Sequence, residues 1–211
     1  MTHLYLIRHG QSQGNLHDLF LGHTDLDLTP LGHAQAEKTA EYLSAVPADL
    51  IFSSDLKRAY HTALHTAEKK GIAVQTDPEL REIFAGEWEG VPFADLKKRY
   101  ADSFEVWLHD FGAARCDGGE SVGELKDRIF YAIRRIAREN EGKRILIFSH
   151  ATPIRLMGCT VQGIPLKEAG LFPWPSNASV TSLTFENDEF SLVEYSCDSF
   201  MGDMVTRLSD V

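Results

Sequence analysis

The chain has 211 residues, a formal charge of −10 and an ordinary globular composition, with 43% hydrophobic and 25% charged residues. That length suits one domain with a substantial core, and the acidic balance disfavours nucleic acid and anionic membranes as partners. No apolar run approaches the ~20 residues that span a bilayer, and three scattered cysteines, Cys116, Cys159 and Cys197, fit neither a disulfide framework nor a paired zinc motif.

The first predicted element is a buried strand over 3–8, from the bulky run His3-Leu4-Tyr5-Leu6-Ile7. It ends on Arg8-His9-Gly10. The carboxyl end of a buried strand is where open α/β sheets place a ligand. There an arginine offers a planar fork of donors, a histidine can attack or move a proton, and a glycine lets a ligand approach the main chain. Thr29-Pro30 predicts an N-cap and a helix over 30–45. A strand over 49–53 and a helix over 55–70 follow, so Arg58 falls in the first turns of a helix that begins at a strand end. A short strand over 72–76 precedes the stretch Leu80-Arg81-Glu82-Ile83-Phe84-Ala85-Gly86.

Residues 78–112 predict a loop and a helical segment, with Phe104, Trp107, Leu108 and Phe111 at helical spacing. These four are core or lid packing, or else an apolar wall for a ligand. Ser121-Val122-Gly123-Glu124 has capping-box form and opens a helix over 121–141. A strand over 144–149 ends on Ser149-His150, and a helix is predicted over 153–162. Asn187-Asp188 predicts the turn of a hairpin over 178–196. In the tail, Met201, Met204, Val205 and Leu208 share one helical face and predict a helix docked on its own domain.

Strands alternating with helices imply a three-layer α/β/α fold, with a mainly parallel sheet and an antiparallel edge strand. No linker or repeat divides the chain. One domain over 1–211 is therefore expected, with a lid-like segment inside 78–140 and a tail at 199–211. The cysteine usage and the lack of a signal-peptide pattern imply a reduced, cytoplasmic protein.

RHGQSQGN, SSDLKRAYHTA, REIFAGEWEG, GGES and FSHATPIR, in that order, resemble the signature blocks of the histidine phosphatase superfamily. The resemblance runs from Leu4 to about Glu194 and implies the phosphoglycerate mutase-like fold. It implies that His9 is the nucleophile and forms a phosphohistidine. Arg8, Arg58 and His150 would hold the phosphate, joined by the amide of Asn15. Glu82 would donate a proton to the leaving oxygen and then activate water. Gly22, His23, Thr24 and Ala151 would lie within reach of substrate. No step needs a metal or a cofactor.

Each residue has a plainer reading. His9 could only bind anions, Arg58 could pair with Asp55, and Asn15 could serve a turn. His150 could be a satisfied strand-end histidine, and Glu82 competes with Glu87 and Glu89 as the acid. His61, His65 and Glu68 form a helical stripe that reads as a solvated face, or as a catch for a stray metal ion. The short stretch from Glu82 to His150, and Ile83-Phe84-Ala85 after the glutamate, favour the phosphatase branch over a cofactor-dependent phosphoglycerate mutase. A non-catalytic phospho-ligand binder is the remaining alternative, and it has no use for Glu82. The implied substrate is a small phosphorylated metabolite, with a phosphoprotein as the other option.

Overall fold

A computed structural model describes residues 1–207. Six strands form one sheet in the order β3-β2-β4-β1-β5-β6: β1 (Thr2–Arg8), β2 (Leu50–Ser53), β3 (Val74–Thr76), β4 (Arg144–Ser149), β5 (Val180–Glu186) and β6 (Glu189–Cys197). β1 pairs with β4, and β2 with β4 and β3, in parallel. β5 runs antiparallel to both β1 and β6, which gives the expected antiparallel edge. Asn187 and Asp188 both adopt positive φ, 51° and 67°, the backbone that a tight two-residue hairpin requires.

Alternation along β1 and β4 distributes side chains to two faces. Leu4, Leu6, Ile145 and Ile147 pack with Ile129, Ile133 and Ile136 of α6 (Val122–Glu139) and with Ile154 and Met157 of α7 (Ala151–Val161). Ile7, Leu146 and Phe148 pack against Leu43 of α2 (Pro30–Ser44) and against Ala63 and Ala67 of α3 (Lys57–Lys70). These two apolar layers place helices on both faces and make the sheet the middle of three layers.

A third apolar cluster lies apart from the sheet. Trp88 is its centre, with Phe20, Leu96, Phe104, Trp107 and Phe111 around it. It joins α4 (Phe93–Arg99) and α5 (Ala101–His109) to the loop after β3. Ser103 and the Trp88 indole both donate to Asp117, the latter at 2.8 Å, which ties α5 to the GGES turn.

Several predicted elements differ in extent or kind: β3 starts at Val74 rather than 72, and α6 ends at Glu139 rather than 141. α3 starts at Lys57 rather than 55, because Ser54 and Asp55 spend their polar groups outside the helix, on Leu56 and Arg81. α7 starts at Ala151, two residues earlier than predicted; Pro153 is tolerated there because the first turn has no backbone acceptor for its N–H groups. The tail is not an α-helix among the described residues: it forms one short 3-10 turn, Gly202–Met204. Gln35 Nε2 donates to the Met204 carbonyl at 2.7 Å, and the Asn177 N–H donates to the Thr206 carbonyl at 2.9 Å. The backbone groups that a helix would need are thus taken by the body of the protein. Leu208 lies outside the described residues.

Candidate active site

The site is built on strand ends. The chain leaves β1 at His9-Gly10, and a Cβ on Gly10 would meet the Gly32 carbonyl oxygen at 2.4 Å. Only glycine lets this loop press onto α2. The Gly10 N–H donates to Thr62 Oγ1 at 3.0 Å, which ties the loop to α3 as well.

His9 is buried, and its Nδ1 sits 2.7 Å from the Gly10 carbonyl oxygen. A carbonyl only accepts, so Nδ1 carries the proton and Nε2 keeps the lone pair. Burial, then the charges of Arg58 and Arg8, push the His9 pKa well below its ordinary value. The imidazole is therefore neutral at physiological pH and has one free nitrogen.

Arg8 is buried, and its Nη1 donates to the Pro175 carbonyl at 2.7 Å. Its Nε is buried without a protein partner. Burial lowers its pKa to about 10, which leaves it charged at neutral pH. Arg8 also lines the cavity, so its charge would favour an anion there. Arg58 is fixed on three acceptors: the Gly22 carbonyl at 2.7 Å, the Thr24 carbonyl at 2.9 Å and His150 Nδ1 at 3.2 Å. It does not pair with Asp55, whose carboxylate takes Arg81 instead.

Glu89 orders the loop behind Arg58. Its carboxylate accepts from the N–H groups of Gly22, His23, Thr24 and Ala85 and from the Thr24 hydroxyl, the last at 2.6 Å. The loop 22–24 in turn presents the two carbonyls that hold Arg58. These hydrogen bonds keep the Glu89 pKa low against its burial. Gly22, His23 and Thr24 thus act on the site from behind, and His23 Nε2 donates to the Glu82 carbonyl at 3.0 Å.

His150 is fully buried, with its ring 5.2 Å from that of His9. Arg58 Nε can only donate, so His150 Nδ1 accepts, and Nε2–H donates to Ser54 Oγ at 2.8 Å. Both nitrogens are engaged by protein, and His150 is not among the residues lining the cavity. Burial and the Arg58 charge hold its pKa well below the ordinary value.

Glu82 lines the cavity, and its oxygens accept from the Ile83 N–H at 2.8 Å and the Thr152 N–H at 3.1 Å. Those donors favour the carboxylate, but burial outweighs them and raises its pKa. Neither Glu87 nor Glu89 lines the cavity. Asn15, in the short helix α1 (Gln13–Leu16), closes a capping box with its N-cap Ser12. The Ser12 N–H and Asn177 Nδ2 both donate to Asn15 Oδ1, so that end of the amide faces the protein and the NH₂ end is the one left for a ligand.

Arg8, His9, Asn15, Arg58, Glu82 and Ala151 line one cavity of about 100 Å³. Its outer wall is apolar, from Leu19, Phe20, Leu21, Ile83, Phe93, Trp107 and Trp174. Trp107 is therefore wall, while Phe104 and Phe111 are core and Leu108 packs against it. Asp18 and Arg207 bring one charge of each sign to the lining. Sequence reasoning missed Trp174, Asp18 and Arg207, which no local pattern marks. Trp174 is seated by Arg155, whose guanidinium lies 4.0 Å from the indole centroid and donates to the Phe172 and Gly170 carbonyls. Among the described residues no three ligating side chains form a metal cluster.

Comparison with known proteins places this geometry. The model of the histidine phosphatase superfamily (branch 1) matches residues 4–198. Phosphoserine phosphatase 1 of Hydrogenobacter thermophilus is 29% identical over 203 residues, covering 96% of each chain. The adenosylcobalamin/alpha-ribazole phosphatase of Escherichia coli is 34% identical over 77% of this chain and 80% of that enzyme. Among solved structures, YhfR of Bacillus stearothermophilus superposes with a TM-score of 0.91 at 26% identity, over 95% of this chain and all of that one.

Proposed function

The chain belongs to the histidine phosphatase superfamily and is a phosphatase, and from that premise we propose a two-step hydrolysis through a phosphohistidine on His9. One observation carries the reading. His9, whose Nε2 keeps its lone pair, lines one small cavity together with the cations Arg8 and Arg58 and the carboxyl of Glu82. A nucleophile, two cations and an acid share one small space.

In the first step His9 Nε2 forms the N–P bond as the P–O bond to the leaving group breaks. Arg8, Arg58 and the Asn15 amide neutralise and orient the phosphoryl oxygens. Glu82, whose pKa burial raises and an approaching dianion raises further, gives its proton to the leaving oxygen. In the second step the Glu82 carboxylate takes a proton from water. The water oxygen attacks phosphorus, the N–P bond breaks, and phosphate departs. His150 holds Arg58 in place through Nδ1 and reaches the phosphate itself only by releasing Ser54. No step calls on a metal or a cofactor.

The substrate class follows from size and lining. A cavity of about 100 Å³ behind aromatic walls takes a small phosphorylated metabolite in preference to a phosphoprotein. Asp18 and Arg207 suit a leaving group that carries both an ammonium and a carboxylate. Phosphoserine is the first compound to test, given the end-to-end similarity to a phosphoserine phosphatase. Among the described residues no helix is long and apolar enough to cross a membrane, and the unpaired cysteines fit a reducing cytoplasm.

The test is rapid quench with ³²P-labelled substrate. An acid-labile, base-stable phosphoenzyme should form in the wild type and vanish in His9→Ala. In steady state, kcat/KM for phosphoserine should exceed that for a phosphoserine peptide. Interconversion of 2- and 3-phosphoglycerate with primer should be slow beside phosphate release. A phosphoenzyme that survives His9→Ala would overturn the mechanism.

A further inference from the structure

Outside the cavity, three of the chain's nine histidines meet between α2 and α3. His33 Nδ1 lies 3.2 Å from His65 Nε2. His65 Nδ1 lies 3.1 Å from Glu37 Oε2, and His61 Nδ1 lies 2.6 Å from Asp27 Oδ1. None of these residues lines the catalytic cavity.

A carboxylate only accepts hydrogen bonds at neutral pH. His65 therefore keeps its proton on Nδ1, and its Nε2 is a lone pair aimed at His33. That is the arrangement in which metal-ligating histidines are held, with the far ring nitrogen bound to a carboxylate that fixes tautomer and orientation. Glu37 is itself anchored, since Lys69 Nζ lies 2.6 Å from its Oε1 and leaves Oε2 for His65. The spacing also fits. Two ligands at ~2.0–2.1 Å from a tetrahedral ion stand about 3.3–3.4 Å apart, close to the 3.2 Å between His33 Nδ1 and His65 Nε2.

We propose that His33 and His65 form the edge of a binding site for a borderline transition-metal ion such as Zn²⁺, supported by Glu37. In the metal-free chain a proton on His33 Nδ1 bridges the two rings. Metal takes that proton's place, and neutral His33 moves its proton to Nε2. Among the described residues no third ligand already converges on this point. Water fills the remaining positions and the site is an open one. His61, one turn before His65 on α3 with its ring 6.5 Å from that of His33, is the nearest further imidazole. The ion would tie α2 to α3 outside the catalytic cavity.

The test is Zn²⁺ titration by calorimetry at neutral pH, on the full chain freed of any affinity tag and stripped with chelator. One ion per chain should bind with micromolar affinity. His33→Ala and His65→Ala should each weaken binding at least tenfold, and Glu37→Gln by about tenfold. Cys197→Ser should bind as the wild type does. Thermal unfolding in chelator checks that each variant is folded, and all four should melt near the wild type. No binding at millimolar Zn²⁺ overturns the proposal. So does binding that survives the His33→Ala, His65→Ala double variant, or binding lost in Cys197→Ser.

Discussion

The floor and the wall of the cavity are made in different ways. Arg8, His9 and Arg58 stand at or just beyond the carboxyl ends of β1 and β2, and their positions are set by backbone hydrogen bonds and by Gly10 pressed on Gly32. The wall comes from separate places along the chain: 18–21, Ile83, α4 and α5, Trp174 and Arg207. None of these is a strand end, and they are held mainly by apolar packing and by Arg155 beneath Trp174. In the proposed mechanism the sheet therefore fixes the phosphate chemistry, while loops that can vary without disturbing it set the choice of leaving group.

Substitutions in the floor should stop chemistry whatever the leaving group, and those in the wall should depend on it. The largest effect is His9→Ala, which should abolish turnover of every phosphomonoester without unfolding the protein. Residual turnover dependent on a divalent ion would break the comparison at its base. Vanadate, which mimics five-coordinate phosphorus, should inhibit the wild type, and chelator should leave its rate unchanged.

Glu82→Gln comes next and joins the two regions, because Glu82 lines the cavity beside both and in the proposed mechanism serves both steps. For an alkyl phosphate the first step should slow by ~10²–10⁴-fold. For p-nitrophenyl phosphate, whose leaving group needs little help, it should slow far less. Rapid quench isolates that step from dephosphorylation. Equal losses for both substrates would assign the acid elsewhere. The basic limb of the pH–rate profile should also disappear in this variant, since it reports loss of the Glu82 proton as pH rises through its raised pKa.

The floor should also show in stability. His9 and His150 are buried neutral, with pKa values held well below the unfolded value of about 6.5. Below that pH the unfolded chain takes up protons that the native chain refuses, so stability falls as pH falls, by up to about 1.4 kcal/mol per pH unit for each histidine. Glu82 acts with opposite sign. Its raised pKa means that the native chain keeps a proton the unfolded chain has lost above about pH 4.3, so it costs stability as pH rises through that window. Two groups oppose one, and melting temperature should fall between neutral pH and pH ~5.5. His150→Gln should flatten that slope. A slope unchanged in this variant would place the titration elsewhere.

The smallest effects belong to the wall. Arg207→Ala should raise KM for phosphoserine a few-fold and leave p-nitrophenyl phosphate nearly unchanged, since Arg207 is largely exposed and shared with Asp198. Trp174→Ala should raise KM for both with little change in kcat. If either variant lowered kcat for both substrates alike, wall and floor would be one unit.

Local signals were enough for the layers, while the floor needed the family resemblance as well. Alternation in 3–8 and 144–149, the cap at Thr29, the capping box at Ser121 and the Asn187-Asp188 turn each act over a few residues, so they can be read in one dimension. Arg8, His9, Arg58 and His150 stood out at strand-to-helix junctions and Glu82 on a loop, and the family resemblance of their blocks gave each a role. Their arrangement was not legible. That His150 turns both nitrogens to Arg58 and Ser54, that Asp55 serves Arg81, and that Glu89 works through loop 22–24 depend on partners 26 to 96 residues away. The tail shows the same limit. Met201, Met204 and Val205 have helical spacing, yet Gln35 and Asn177 supply the hydrogen bonds to this segment's carbonyls. Periodicity records which residues want burial, but only the folded chain decides which backbone groups remain free to form a helix.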